Sequence, residues 1–126
     1  MKQLKIEIER SSFTDRLHAY ALCKKADTIK ASDYLNIPFK VKDFVISKNT
    51  LIETDSGEVL SDPMQCITIL TDEGISIGTN SKPMINMFLE LKDLLDDEGK
   101  ELNEQQFIIS QGTGKNGKFN AIELVF

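Results

Sequence analysis

Apolar positions in this chain recur in two rhythms, and the change from one to the other marks its elements. Leu4, Ile6 and Ile8 alternate with Lys5, Glu7 and Glu9, the period of a half-buried strand. A long β run follows from Phe39 to Ile52, carrying Phe39, Val41, Phe44, Val45, Ile46, Leu51 and Ile52. Asp55-Ser-Gly57 signals a turn. Glu58-Val-Leu60 and Gln65 to Leu70 return, interrupted at Pro63, which suits a bulge or an edge. Asp72-Glu-Gly74 then turns tightly into Ile75-Ser-Ile-Gly78, so residues 39–79 read as a three-stranded meander. From there the spacing lengthens. Met84, Met87, Phe88, Leu91, Leu94 and Leu95 recur every three or four residues and predict a helix over 81–97. Ser81 caps it, Pro83 sits in its first turn and Gly99 ends it. Two more strands, 105–113 and 118–126, form a hairpin joined by Gly112-Thr-Gly-Lys-Asn-Gly-Lys118.

Strand, strand, strand, helix, strand, strand is the order of a small five-stranded Greek-key barrel, the OB-fold. The expectation is a mainly β chain with one central helix between the third and fourth strands. Residues 37–126 would form the barrel and 1–36 an N-terminal strand and helical extension, all in a single domain spanning 1–126. The extension reads least clearly. Phe13, Leu17, Tyr20 and Ala21 are spaced like a helix face, yet Leu17 to Cys23 also suits a strand. Ser32 to Asn36 looks like one helical turn capped by Ser32 and stopped by Pro38.

Composition narrows the class. The chain has 126 residues, 40% of them hydrophobic and 28% charged, as expected of one soluble globular domain. No apolar run approaches the roughly 18 residues of a membrane span. The alternating start is a strand pattern rather than a signal peptide. Two cysteines, Cys23 and Cys66, with no C-x-x-C, suit a reduced, cytoplasmic protein. The net charge of −5 argues against nucleic acid until its distribution is read. Residues 1–48 carry ten Lys/Arg against six Asp/Glu, and residues 49–104 carry three against thirteen. Residues 105–126 carry two against one. Segregated charge permits one basic face and one acidic face.

Enzyme constellations are nearly absent, and no cofactor or metal is expected. His18 is the only histidine, and neither cysteine is near it in sequence. The glycine loop has neither the spacing of a phosphate-binding P-loop nor a helix after it. It is either a hairpin tip needing positive φ, or a loop whose glycines admit phosphates while Lys115, Asn116 and Lys118 bind them. Phe119 follows at the mouth of the hairpin. A second candidate is the strand from Phe39, where strict alternation puts Lys40, Lys42, Phe44, Ile46 and Lys48 on one side. Three lysines and an aromatic on one face suit a stacked base and its neighbouring phosphates. The competing reading is that a bulge turns Phe44 into the core.

The C-terminal half resembles a family. Cys66 to Gly74, then Thr79-Asn-Ser-Lys82, a helix rich in Leu and Asp, and Ile109-Ser-Gln-Gly-Thr-Gly-Lys-Asn-Gly-Lys-Phe119 are similar to the small single-stranded-DNA-binding proteins of the protein-primed tailed phages. The match covers roughly residues 64–126 and more loosely 30–50. The resemblance implies an OB-fold without enzymatic activity that coats displaced single strands during phage DNA replication, in the host bacterial cytoplasm. Carried over by position, Ser81, Lys82 and the Gly112–Lys118 loop are the matching segments. The chain departs in having no tryptophan, two tyrosines, and Asn120 where relatives tend to place an apolar or aromatic side chain. The expected ligand is single-stranded DNA or RNA, with replication proteins as further partners through the acidic surface. The alternative is a β-rich protein-interaction module, a replisome or assembly adaptor, that binds no nucleic acid.

Overall fold

The computed structural model describes residues 1–126. The chain runs β1 (Lys2–Ser11), α1 (Arg16–Cys23), β2 (Ile29–Lys30), β3 (Phe39–Glu53), β4 (Met64–Thr71), β5 (Ser76–Thr79), α2 (Lys82–Asp97), β6 (Gln106–Gly114) and β7 (Gly117–Leu124). Short 3-10 turns occupy Ala31–Asp33 and Leu102–Glu104. The fold is mainly β, with α2 as the central helix and α1 inside the N-terminal extension.

α1 forms where sequence left helix and strand open, because Asp15 caps it. The Asp15 carboxylate accepts from the His18 backbone N–H at 2.8 Å, which satisfies an amide with no partner inside the helix. The turn expected at Ser32–Asn36 is instead the 3-10 turn at Ala31–Asp33, and no side chain caps it. Glu58–Leu60 forms no strand; it contributes one isolated bridge, Val59 to Ile52.

β3 is the spine of a curled, open sheet. One of its edges carries β4 from Val41 to Asn49. The other carries β6 at Phe39 and Lys40, and β1 from Val45 to Glu53. Ser12 spans the gap between them, its N–H donating to the Phe44 carbonyl at 3.1 Å and its Oγ accepting from the Phe44 N–H at 2.9 Å. The strand order is β2-β5-β4-β3-β6-β7, so β5 and β7 do not pair and the barrel does not close. β2 takes the edge of β5 in parallel, with Ile29 opposite Ile77 and Lys30 opposite Gly78. Where a shut barrel would have a ladder between β5 and β7, the Ser81 hydroxyl donates to the Asn120 carbonyl at 3.3 Å.

The main core lies between the concave side of the sheet and α2. Phe44, Ile46, Ile67, Ile69 and Ile77 meet Met84, Ile85, Phe88 and Leu95 of the helix, with Phe107, Ile109 and Ile122 closing the set. Each such side chain stabilises the fold by about 1.5–3 kcal/mol on burial. Ser81 caps α2, accepting from the Met84 N–H at 3.5 Å, and Gly99 ends it at φ +67°. Two positions of the expected apolar stripe, Met87 and Leu94, stay exposed. A separate small cluster sits on the convex side, where Ala19 and Leu22 of α1 are buried against Val45.

Candidate nucleic-acid interface

A bulge decides which face of β3 is which. The register with β4 shifts between Val41 and Asp43, so one extra residue enters the strand at Lys42. Lys40 and Lys42 stay exposed, but Phe44 turns inward and is 1% exposed. Its ring meets Phe88 edge-on at 4.9 Å. The shared lysine-and-aromatic face that strict alternation suggests does not exist, and Phe44 is a core residue, unavailable for stacking. Lys48 is exposed but sits 3.5 Å from Glu9, which offsets its charge. Lys40 and Lys42 take part in none of the chain's ion pairs.

The β6–β7 hairpin brings the other candidates together. β6 pairs with β3 only at Gln106 and Phe107, so beyond Ile109 the hairpin leaves the sheet as an arm. Its tip is Lys115 and Asn116, both exposed, between Gly114 and Gly117, whose φ is +102°. Lys118 is exposed opposite Thr113. Phe119 pairs with Gly112, and its half-buried ring lies over the backbone of Gly112 and Gly114. The ring belongs to neither hydrophobic cluster. Lys115, Lys118 and Lys82 have no carboxylate partner. The Ser81–Asn120 bond ties the Ser81-Lys82 pair to β7 one residue from Phe119. Ser81 itself is committed to that bond and to its cap, so Lys82 is the free group of the pair. Glycine, aromatic and unpaired lysines thus share one exposed arm. The cross-strand contact of Phe119 with Gly112 is readable only by counting back from the tip, once the tip is known.

The convex face of β3, β4 and β5 is closed. In barrels of this strand order the gripping surface lies on the second and third strands, here β4 and β5. Val45, Ser47, Thr68, Ser76 and Gly78 make that face, and four of them are buried. α1 covers Val45, Thr28 Oγ1 lies 2.9 Å from Ser76 Oγ, and a Cβ at Gly78 would stand 3.1 Å from the Thr28 methyl. These residues include no aromatic and no cation. They form a smooth seat for a helix, not a platform for bases.

Other clusters carry less. A groove of about 500 Å³ beside Lys42 also holds Arg10, Lys92 and Lys100, but Asp43, Asp96 and Glu101 line it too. Arg10 is bound to Asp93 at 2.8 Å, and Lys92 to Asp96. Two of the groove's four cations are thus neutralised. No group of three or more His, Cys, Asp or Glu side chains could hold a metal ion. His18 is paired with Asp15 at 2.8 Å. Burial pushes both thiols, Cys23 and Cys66, above their ordinary pKa. No helix is long and apolar enough to cross a membrane. No family model, curated protein or solved structure matches the chain.

Proposed function

We propose that this chain binds single-stranded DNA without sequence preference, as an OB-type domain that coats displaced strands during phage DNA replication. The observation that carries this reading is the arm: an aromatic ring laid on glycine backbone, flanked by Lys115 and Lys118 with no carboxylate partner. Stacking on an aromatic ring and backbone neutralisation by free lysines are the two interactions that hold single strands without reading sequence. The order β3-β4-β5-α2-β6-β7 supports the OB assignment, in which this arm is the binding loop between the last two strands. Lys82 and Lys40 flank the base of the arm, and Lys42 extends the path along β3.

Fluorescence anisotropy of a labelled oligothymidylate tests the proposal. Binding should weaken steeply with salt, with a log–log slope near −0.7 per phosphate contacted. Absence of binding at low salt, or a preference for duplex, overturns it. An oligouridylate run in parallel reads the choice between DNA and RNA.

A second reading has its own observation. Met87, Leu91, Leu94, Ile122 and Leu124 line an apolar groove of about 440 Å³ between α2 and β7, with Glu90 and Glu123 beside them. An acidic, apolar groove suits a protein-interaction module. Failure of every oligonucleotide to bind would favour it.

A further inference from the structure

α1 does more than cover the sheet. Arg16, Tyr20 and Lys24 recur at four-residue intervals, which sets them on one stripe of the helix and its C-cap. α1 is anchored to the sheet through Ala19 and Leu22, so the stripe sits on a fixed support. Tyr20 is 41% exposed. The Lys24 ammonium lies 5.7 Å from the centre of its ring. Arg16 and Lys24 take part in no ion pair. Beside the ring opens a cleft of about 450 Å³ lined by Ile6, Glu7, Ile8, Arg16 and Tyr20. Its one carboxylate, Glu7, is 3.9 Å from Lys5. Between Arg16 and Lys30 the chain carries four Lys/Arg against a single acid, Asp27, which is paired with Lys25.

We propose that this stripe is a second contact site for single-stranded DNA, in which a base stacks on Tyr20 and Arg16 and Lys24 take the flanking phosphates. The inference rests on the single-strand-binding reading and adds to it a place outside the β6–β7 arm. The chemistry is that of any sequence-tolerant strand binder, an aromatic platform inside a cationic frame. It also gives the covered sheet face a purpose. The helix that closes the usual gripping surface presents a replacement on its own outer side. The register sets the two sites apart. β6 leaves β3 at Phe39 and runs away from it, whereas β1, beside α1, pairs with β3 from Val45 onward.

The chain's own fluorescence provides the test. It has two tyrosines and no tryptophan, and the second, Tyr34, is half-buried against Phe39. Tyrosine emission of the full chain is followed while an oligothymidylate of roughly 16 nucleotides, the upper end for one such domain, is added. Wild type should be quenched. Tyr20→Phe should lose the quench and keep its affinity within about twofold, because the ring remains. Tyr20→Ala should bind about tenfold more weakly, the loss of one stacked base. Arg16→Gln and Lys24→Gln should each lower the log–log salt slope by about 0.7. Full quenching in Tyr20→Phe, or wild-type affinity in Tyr20→Ala with an unchanged circular dichroism spectrum, overturns the second site and leaves the first standing. If wild type binds no oligonucleotide, the parent reading falls and this site with it.

Discussion

The ring of Phe119 lies on the backbone of Gly112, its partner across the β6–β7 hairpin: a Cβ built on Gly112 would stand 2.5 Å from the ring's Cζ. Gly112 is thus a glycine for space rather than for backbone freedom. Two residues on, a Cβ at Gly114 would meet the same ring at 3.5 Å, an ordinary contact.

That difference gives a paired prediction. Gly112→Ala should lift the ring off the arm and weaken oligonucleotide binding, with little change in melting temperature, because the ring belongs to no core cluster. Gly114→Ala should bind as wild type. Equal effects of the two would show that the seat of the ring is irrelevant to binding.

Phe44 should behave as core. Phe44→Ala should cost about 3–5 kcal/mol of stability, as large-to-small aromatic truncations do. The fraction still folded should bind normally. Thermal melts run beside titrations separate the two quantities, and a stable variant with weak binding would return Phe44 to the interface.

The lysines should fall into two groups. Lys115→Gln and Lys118→Gln should each reduce the log–log salt slope by about 0.7. Lys48→Gln should reduce it by less, since Glu9 at 3.5 Å already screens that charge. A salt series on the three variants reads this directly, and equal slopes for all three would contradict the distinction.

The thiols give a pH dependence. Burial raises both Cys23 and Cys66, so the folded chain holds its thiol protons when the unfolded chain has begun to lose them. Stability from this source is complete below the ordinary thiol pKa and declines as pH rises through it toward the raised folded values. Aromatic disulfide reagents should therefore react slowly near neutral pH and faster after unfolding. Fast reaction in the native state at neutral pH would show that the thiols are open.

The elements set by local rhythm were legible in the sequence. α2, with its Ser81 cap and Gly99 stop, and the β6–β7 hairpin with its glycine tip follow from spacing and turn chemistry. The bulge at Lys42 was legible only as one of two open readings of Phe44, because one inserted residue leaves composition unchanged while reversing every side chain after it. The seat of α1 was hidden. Ser47, Thr68 and Ser76 look like solvent-facing residues, and only the position of the helix makes their small size the relevant property. The pairing of β2 with β5 involves two residues and a partner almost fifty positions away, and no local pattern announces it. The lysines of the arm were found by composition, whereas the contact that organises them, Phe119 on Gly112, needed the register.

The seat of β2 on β5 also changes where the chain can be divided. A cut after Asn36 looks natural from the strand order, since five strands and a helix follow. Such a fragment would lose Ile29 and Lys30 and leave a bare row of N–H and C=O groups along β5. It would also uncover Val45 and the smooth patch around it. An unguarded strand edge is a template for other chains, so the shortened protein should self-associate or precipitate. By covering that edge and that patch, the first thirty-six residues should keep copies of the chain from pairing with one another.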